Sequence, residues 1–173
     1  LIIETATRMM DAKASSLLLL DPKTKKLYFK VATGEKKEDV KRFEIELGQG
    51  IAGYVAQTGE SLLIPDVRKD PRWYKQISQS IGFKTRSIAC VPLKVMDKII
   101  GVAEIIDKAD GKSITNDDLK MLSVFADLAA LAIGNARKIE DDKREIKDLK
   151  RELDLKYELI GESKPLRKVI TDA

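Results

Sequence analysis

Three arginines near the middle of the chain, Arg68, Arg72 and Arg86, are the side chains best suited to hold a small anion. A guanidinium offers a planar fork of donors that grips a carboxylate at two points. Trp73 and Tyr74 follow Arg72 directly and would supply the wall of a lid. A competing reading places Arg68 and Arg72 in a charged surface turn and Trp73 as a core anchor. Glu104 stands in the middle of an apolar strand, where a buried carboxylate needs a partner. Arg86 on the neighbouring strand is the candidate, and that pair would consume both groups without a ligand. Cys90 is on the same strand face as Arg86. The ligand-binding candidates are therefore Arg68, Trp73, Tyr74, Arg86, Cys90 and Glu104.

The glycine-punctuated stretch from Leu47 to Trp73 positions these groups. Ile51, Val55 and Ala56 have helical spacing between Gly50 and Gly59, so a short buried helix is expected, stopped by Gly59. Leu62 to Ile64 forms a brief strand, and Asp70-Pro71 reads as the start of a second helix. Together these segments form a lid over something.

Around the lid, Leu1 to Ala14 reads as an amphipathic helix with Ile2, Ile3, Ala6, Met9, Met10 and Ala14 on one side. Ser15 to Leu20 and Leu27 to Ala32 form a meander, a charged loop spans Gly34 to Lys41, and Phe43-Ile45-Leu47 alternates as a further strand. Arg86 to Val95 and Lys98 to Ile106 make the clearest hairpin, apolar on both faces, so both faces should be covered. Pro92 needs an edge or a bulge, because it cannot donate to a ladder.

Composition removes several function classes. The 173 residues carry 32 Lys and Arg against 28 Asp and Glu, a net charge of +4, with the two signs interleaved. Aromatics are only 5%, so direct nucleic-acid binding is not expected. With no His and one Cys, metal and haem chemistry lack ligands, and no cofactor is expected. A lone cysteine forms no internal disulfide and fits a reducing, cytoplasmic setting. No apolar run approaches the ~20 residues of a membrane span. Cys90 reads as an ordinary core residue rather than a redox centre.

A cap-rich segment, Ser113 to Asp118, opens a long helix that runs to about Tyr157. Counting in sevens places Phe125, Ala132, Ile139, Ile146 and Leu153 at one position and Leu128, Asn135, Asp142, Leu149 and Lys156 at the other, the second seam being partly polar. Opposite charges flank this imperfect seam, which predicts a parallel homodimer through a coiled coil. A solvated single helix held by ion pairs is the alternative.

The segments GQGIAGYVAQTG (48–59), IPDVRKDPRW (64–73), RSIACVPL (86–93), IIGVAEIIDK (99–108) and ITNDDLKML (114–122) follow in the order seen in GAF domains. The chain resembles that family up to about Arg137. The resemblance implies an α+β fold, with a central antiparallel sheet, terminal helices on one face and a small-molecule pocket under the lid on the other. Cyclic-nucleotide-binding members often carry an NKFDE-type motif. Here Asp107-Lys108, Ile114 and Asp118 fill four positions and Leu119 replaces the Glu, so Lys108 and Asp118 are expected to form a structural clamp instead.

From Glu158, ELIGESKPLRKVITDA is similar to the opening of the AAA+ domain of sigma-54-dependent activators, NifA-like ones in particular, with Leu166 where Met is usual. The implied organisation is a sensory GAF domain over 1–136, a coiled-coil linker over 137–157 and the start of an ATPase domain over 158–173. No Walker motif is present in this sequence, so the chain itself is not expected to be an enzyme. The resemblance implies a metabolite such as 2-oxoglutarate or another small anion. The alternative is a ligand-free docking module for a regulatory protein.

Overall fold

The computed structural model describes residues 2–161. Its centre is a six-stranded antiparallel sheet in the order β3-β2-β1-β6-β5-β4, built from β1 (Ala12–Leu20), β2 (Lys26–Ala32), β3 (Glu44–Glu46), β4 (Leu62–Ile64), β5 (Ile88–Val95) and β6 (Lys98–Lys108). The helices are α1 (Ile2–Met9), α2 (Lys37–Val40), α3 (Gly50–Thr58), α4 (Lys75–Ile81) and α5 (Asn116–Gly161). The expected α+β architecture is the one observed. Residues 1–132 form one compact unit and a second begins at Ile133.

The β5–β6 hairpin is buried on both faces, as its sequence requires. Leu18, Cys90 and Val102 join Ile51 and Val55 of α3 in one apolar cluster. Ala89, Val91, Ala103 and Ile105 alternate with them and are also buried. Ile3 and Ala6 of α1 and Leu122, Ala126 and Ala130 of α5 are buried in the same unit. Pro92 pairs with Val102 of β6, but β4 pairs only with Ile88 to Cys90, so Pro92 is beyond its end and next to the shift at Leu93/Lys94.

Three local expectations shift. The first helix stops at Met9: Asp11 adopts φ 48° and the chain enters β1 at Ala12, which pairs with Lys108. Ala14 is therefore a strand residue, and Met9 is 62% exposed. Sheet pairing overrides the helix preference of Ala12-Lys13-Ala14. The loop over 34–41 contains the short α2. After Pro71 the chain continues as a turn, and α4 begins only at Lys75.

The α3 helix ends where Gly59 takes φ 74° and donates its N–H to the Val55 carbonyl at 2.8 Å. That left-handed position suits a residue without Cβ. At the start of α5, Thr115 Oγ1 accepts from the Asp118 N–H at 3.2 Å while Asp118 Oδ2 accepts from the Thr115 N–H at 2.8 Å, a reciprocal cap. Lys108 Nζ reaches Asp118 Oδ1 at 3.0 Å, the structural clamp expected from the sequence. Burial pushes the Asp118 carboxyl up, but the Thr115 and Lys108 hydrogen bonds outweigh it and hold it below its ordinary value.

The first part of α5 is apolar enough to qualify as a membrane span by length and composition alone, contrary to the expectation that no run approaches that length. Leu122, Ala126 and Ala130 are spent on the core of the first unit, however, and Asp118 on the clamp.

Candidate functional site

A cavity of about 90 Å³ lies between the lid face of the sheet and the segments that cover it, α2, α3, Trp73-Tyr74 and α4. Its walls are mainly apolar, from Phe29, Ile45, Ile51, Ile77 and Ile88, and hydroxyls of Ser16, Thr33, Ser78 and Thr85 punctuate them.

Glu104 is in the sheet floor of this cavity, 8% exposed. Three strands place it. Ser16 of β1 and Cys90 of β5 are its direct register partners on either side, so the three residues form a row across the sheet. Ser16 Oγ donates to Glu104 Oε1 at 2.5 Å. Oε2 accepts no hydrogen bond from the described residues. No fully buried side-chain polar atom among them lacks a partner, so Oε2 must open onto the cavity. Burial pushes the Glu104 carboxyl above its ordinary value, and the Ser16 hydrogen bond opposes that shift. Burial, with the neighbouring Glu104 charge, also pushes the Cys90 thiol well up, which makes it a poor nucleophile.

The structure divides the predicted site residues into two groups. Trp73, Tyr74 and Glu104 line the cavity, and Cys90 packs beside Glu104 in the floor. Arg68 and Arg86 line an adjoining, more open surface groove with Lys75 and Lys84, which shares Trp73, Ser78, Phe83 and Thr85 with the cavity. The expected Arg86–Glu104 pair does not form. Arg86 is exposed and its Nη1 donates to the Gly111 carbonyl at 3.4 Å, while its backbone N–H goes to the Asp107 carboxylate. Arg86 precedes β5, so its side chain is outside the covered face.

Two local forks occupy the other arginines. Asp66 accepts from Arg68 Nε and Nη2 at 2.8 and 2.7 Å, and its carboxyl is held down to about 2 by that contact. Asp70 repeats the arrangement with Arg72 at 2.9 and 2.7 Å, and Arg72 also stacks 4.6 Å over the Tyr54 ring. The D-x-R spacing occurs twice in IPDVRKDPRW and was the available signal for these pairs.

Sequence reasoning missed Ser16 as a functional neighbour. The signal was present: Ser15 and Ser16 open an otherwise apolar strand and must face opposite ways. Ser15 turns to Thr7 and Thr33, with Oγ contacts of 2.5 and 3.0 Å, and Ser16 turns to Glu104.

Along α5, Phe125 is half-buried, whereas Leu128 is 50% exposed and Ala132 is exposed. Met121, Val124 and Leu131 are exposed on the same unit. In the second unit Ile139, Ile146, Leu149 and Leu153 are each 53–54% exposed.

A sheet covered on both faces, with a small cavity under a helical lid, defines a ligand-sensing type of α+β module. The GAF domain family model matches residues 1–133, and the chain belongs to that family of small-molecule-sensing regulatory modules. It is 32% identical over 152 residues to the probable 3',5'-cyclic phosphodiesterase pde-5 of Caenorhabditis elegans, covering 83% of this chain and 21% of that protein. It is 31% identical over 182 residues to the dual 3',5'-cyclic-AMP and -GMP phosphodiesterase 11A of Takifugu rubripes, covering 94% and 19%. The chain thus spans about a fifth of the length of these relatives. Among solved structures, the GAF domain of a phosphoenolpyruvate-protein phosphotransferase from Coxiella burnetii superposes with a TM-score of 0.72 at 16% identity, over 81% of this chain and 82% of that one. At that identity the likeness concerns the fold.

Proposed function

We propose that this chain is the small-molecule-sensing, dimerising regulatory module of a larger cytoplasmic protein, and that it has no catalytic activity of its own. The observation that carries this reading is the covered cavity, with one carboxylate oxygen that no described residue completes opening into a mainly apolar space. Ligand pockets combine an apolar lining with a few placed polar groups in this way. A ligand shifts a regulatory equilibrium only if it binds the two states with different affinity. The lid segments around Trp73 and Tyr74 are the elements whose packing a ligand would change.

The larger protein we favour is a sigma-54-dependent activator of the NifA-like type, in which α5 passes the signal to an AAA+ ATPase. ELIGESKPLRKVITDA supports this by its sequence alone, since its residues beyond Gly161 are outside the described ones. The relatives named for cyclic-nucleotide hydrolysis align over a fifth of their length, and a cavity of about 90 Å³ has no room for a nucleotide, being smaller than the ~300–1,000 Å³ pockets of drug-sized ligands. The 2-oxoglutarate implied by the resemblance would find its arginines in the outer groove of Arg68 and Arg86, not in the cavity.

The test is a melting-temperature screen of the chain against 2-oxo acids, formate, amino acids and nucleotides, with its mass in solution recorded. Dose-dependent stabilisation by one compound supports a sensor. A stable dimer that responds to none supports the alternative, a docking module for a regulatory protein.

A further inference from the structure

The geometry points to a ligand class opposite in charge to the anion expected from sequence: we propose that the cavity takes a molecule of about four heavy atoms, with an ammonium or similar N–H donor head against Glu104 Oε2. This rests on the reading of the cavity as a ligand site.

Size comes first. A dry cavity of ~150 Å³ holds benzene, six heavy atoms, so one of about 90 Å³ has room for roughly four. Polarity comes second. Glu104 Oε1 is satisfied by Ser16, but Oε2 is not satisfied by any described residue. An ionised carboxylate oxygen accepts and does not donate, so the group that completes it must be a donor. Burial raises the Glu104 carboxyl and the Ser16 hydrogen bond opposes that rise, and a cation seated at Oε2 would favour the ionised form further.

The surroundings leave Glu104 as the dominant charge. Its sheet neighbours, Ser16 and Cys90, are neutral. From the covering segments the polar side chains lining the cavity are Lys36, Gln49, Tyr74, Ser78 and Thr85, the last two hydroxyls lying 3.4 Å apart. Gln49 Oε1 is engaged by the Glu46 N–H at 3.1 Å, and the Tyr74 hydroxyl donates to Gln76. Lys36 is 41% exposed and 3.9 Å from Asp39. Arg68, Arg72 and Arg86 are committed elsewhere. A carboxylate entering here meets a like charge in the floor, no guanidinium, and as lining cation only the Lys36 ammonium, which is half exposed and turned to Asp39. An ammonium meets an opposite charge, and its short apolar body meets Ile45, Ile51 and Ile88.

Three probes of four heavy atoms each test this: isopropylammonium, 2-propanol and acetate. Each is titrated into the isotopically labelled chain at neutral pH and followed through the backbone amides of Ser16 and Glu104. The expected order is isopropylammonium, then 2-propanol, then acetate, with at least a tenfold gap in Kd between first and last. In Glu104→Gln the ammonium should lose that advantage and fall to within about twofold of the alcohol. Acetate binding as tightly as isopropylammonium at these amides overturns the charge assignment while the ligand site stands. So does a Gln variant that keeps the ammonium preference. If no probe moves either amide, both the assignment and the ligand site at this cavity are overturned. The order in the wild-type chain decides the matter even if Glu104→Gln does not fold.

Discussion

Ser16 and Glu104 face each other across the β1–β6 ladder, joined by a 2.5 Å hydrogen bond from the serine hydroxyl to Oε1. The pair places a titratable group inside the sheet floor, so the stability of the domain should report its protonation. Glu104 has a folded value above the ordinary 4.5, so its contribution is fully present below about pH 4.5 and is lost as pH rises through the raised value. Glu104→Gln should flatten that decline. Melting temperature between pH 4.5 and 8 should fall less steeply in the variant than in wild type, and equal slopes would contradict the assignment.

Asp118 behaves with the opposite sign. Its carboxyl is held below 3.8, so its contribution is present above that pH and disappears as pH falls through the lower folded value. Asp118→Ala removes both the Lys108 pairing and half of the reciprocal cap. Loss of about 1–3 kcal/mol is expected at neutral pH, measured by urea unfolding.

Gly101 is in β6 opposite Leu19, and a Cβ added there would be 2.1 Å from the Leu18 carbonyl oxygen. Backbone cannot yield as a flexible side chain can, so Gly101→Ala should cost on the order of 3 kcal/mol. Gly82→Ala is the control for crowding. Its added Cβ meets nothing within 4 Å, although its φ of 66° leaves a smaller conformational cost.

Cys90 is fully buried and its thiol is pushed well up. Alkylation of the native chain at pH 8 should proceed no faster than unfolding, and urea should release it. Rapid native labelling would contradict the packed floor and reopen a redox reading.

The apolar side chains exposed along α5 predict self-association. Leu128→Asp and Leu149→Asp should each lower the solution mass towards that of a monomer without changing the fold of residues 1–132, checked by sedimentation and circular dichroism.

Much of this fold was legible because its strands are bounded by strong turns and alternate cleanly. The β5–β6 hairpin, the stop at Gly59 and the Lys108–Asp118 clamp all follow from local chemistry. The end of α1 was not legible, since Ala12 to Ala14 favours helix and only pairing with β6 makes it a strand. The site was half legible. Trp73, Tyr74 and Glu104 meet at the cavity, but Arg68 and Arg72 turn to aspartates two residues earlier. Arg86 precedes its strand and escapes the alternation that would have aimed it at Glu104. Strand parity gives a face, but it does not say which residues at a strand's end still belong to it.

The central claim is that the space over Glu104 receives a small molecule, and filling that space tests it most directly. Ala52 is 5% exposed and lines the cavity, so Ala52→Leu places extra apolar volume there. The measurement is the melting temperature of wild type and Ala52→Leu across one metabolite panel. At least one compound should raise the wild-type melting temperature with dose and leave the variant's unchanged. Equal stabilisation of both chains, or no stabilisation of wild type by any compound, would contradict the account.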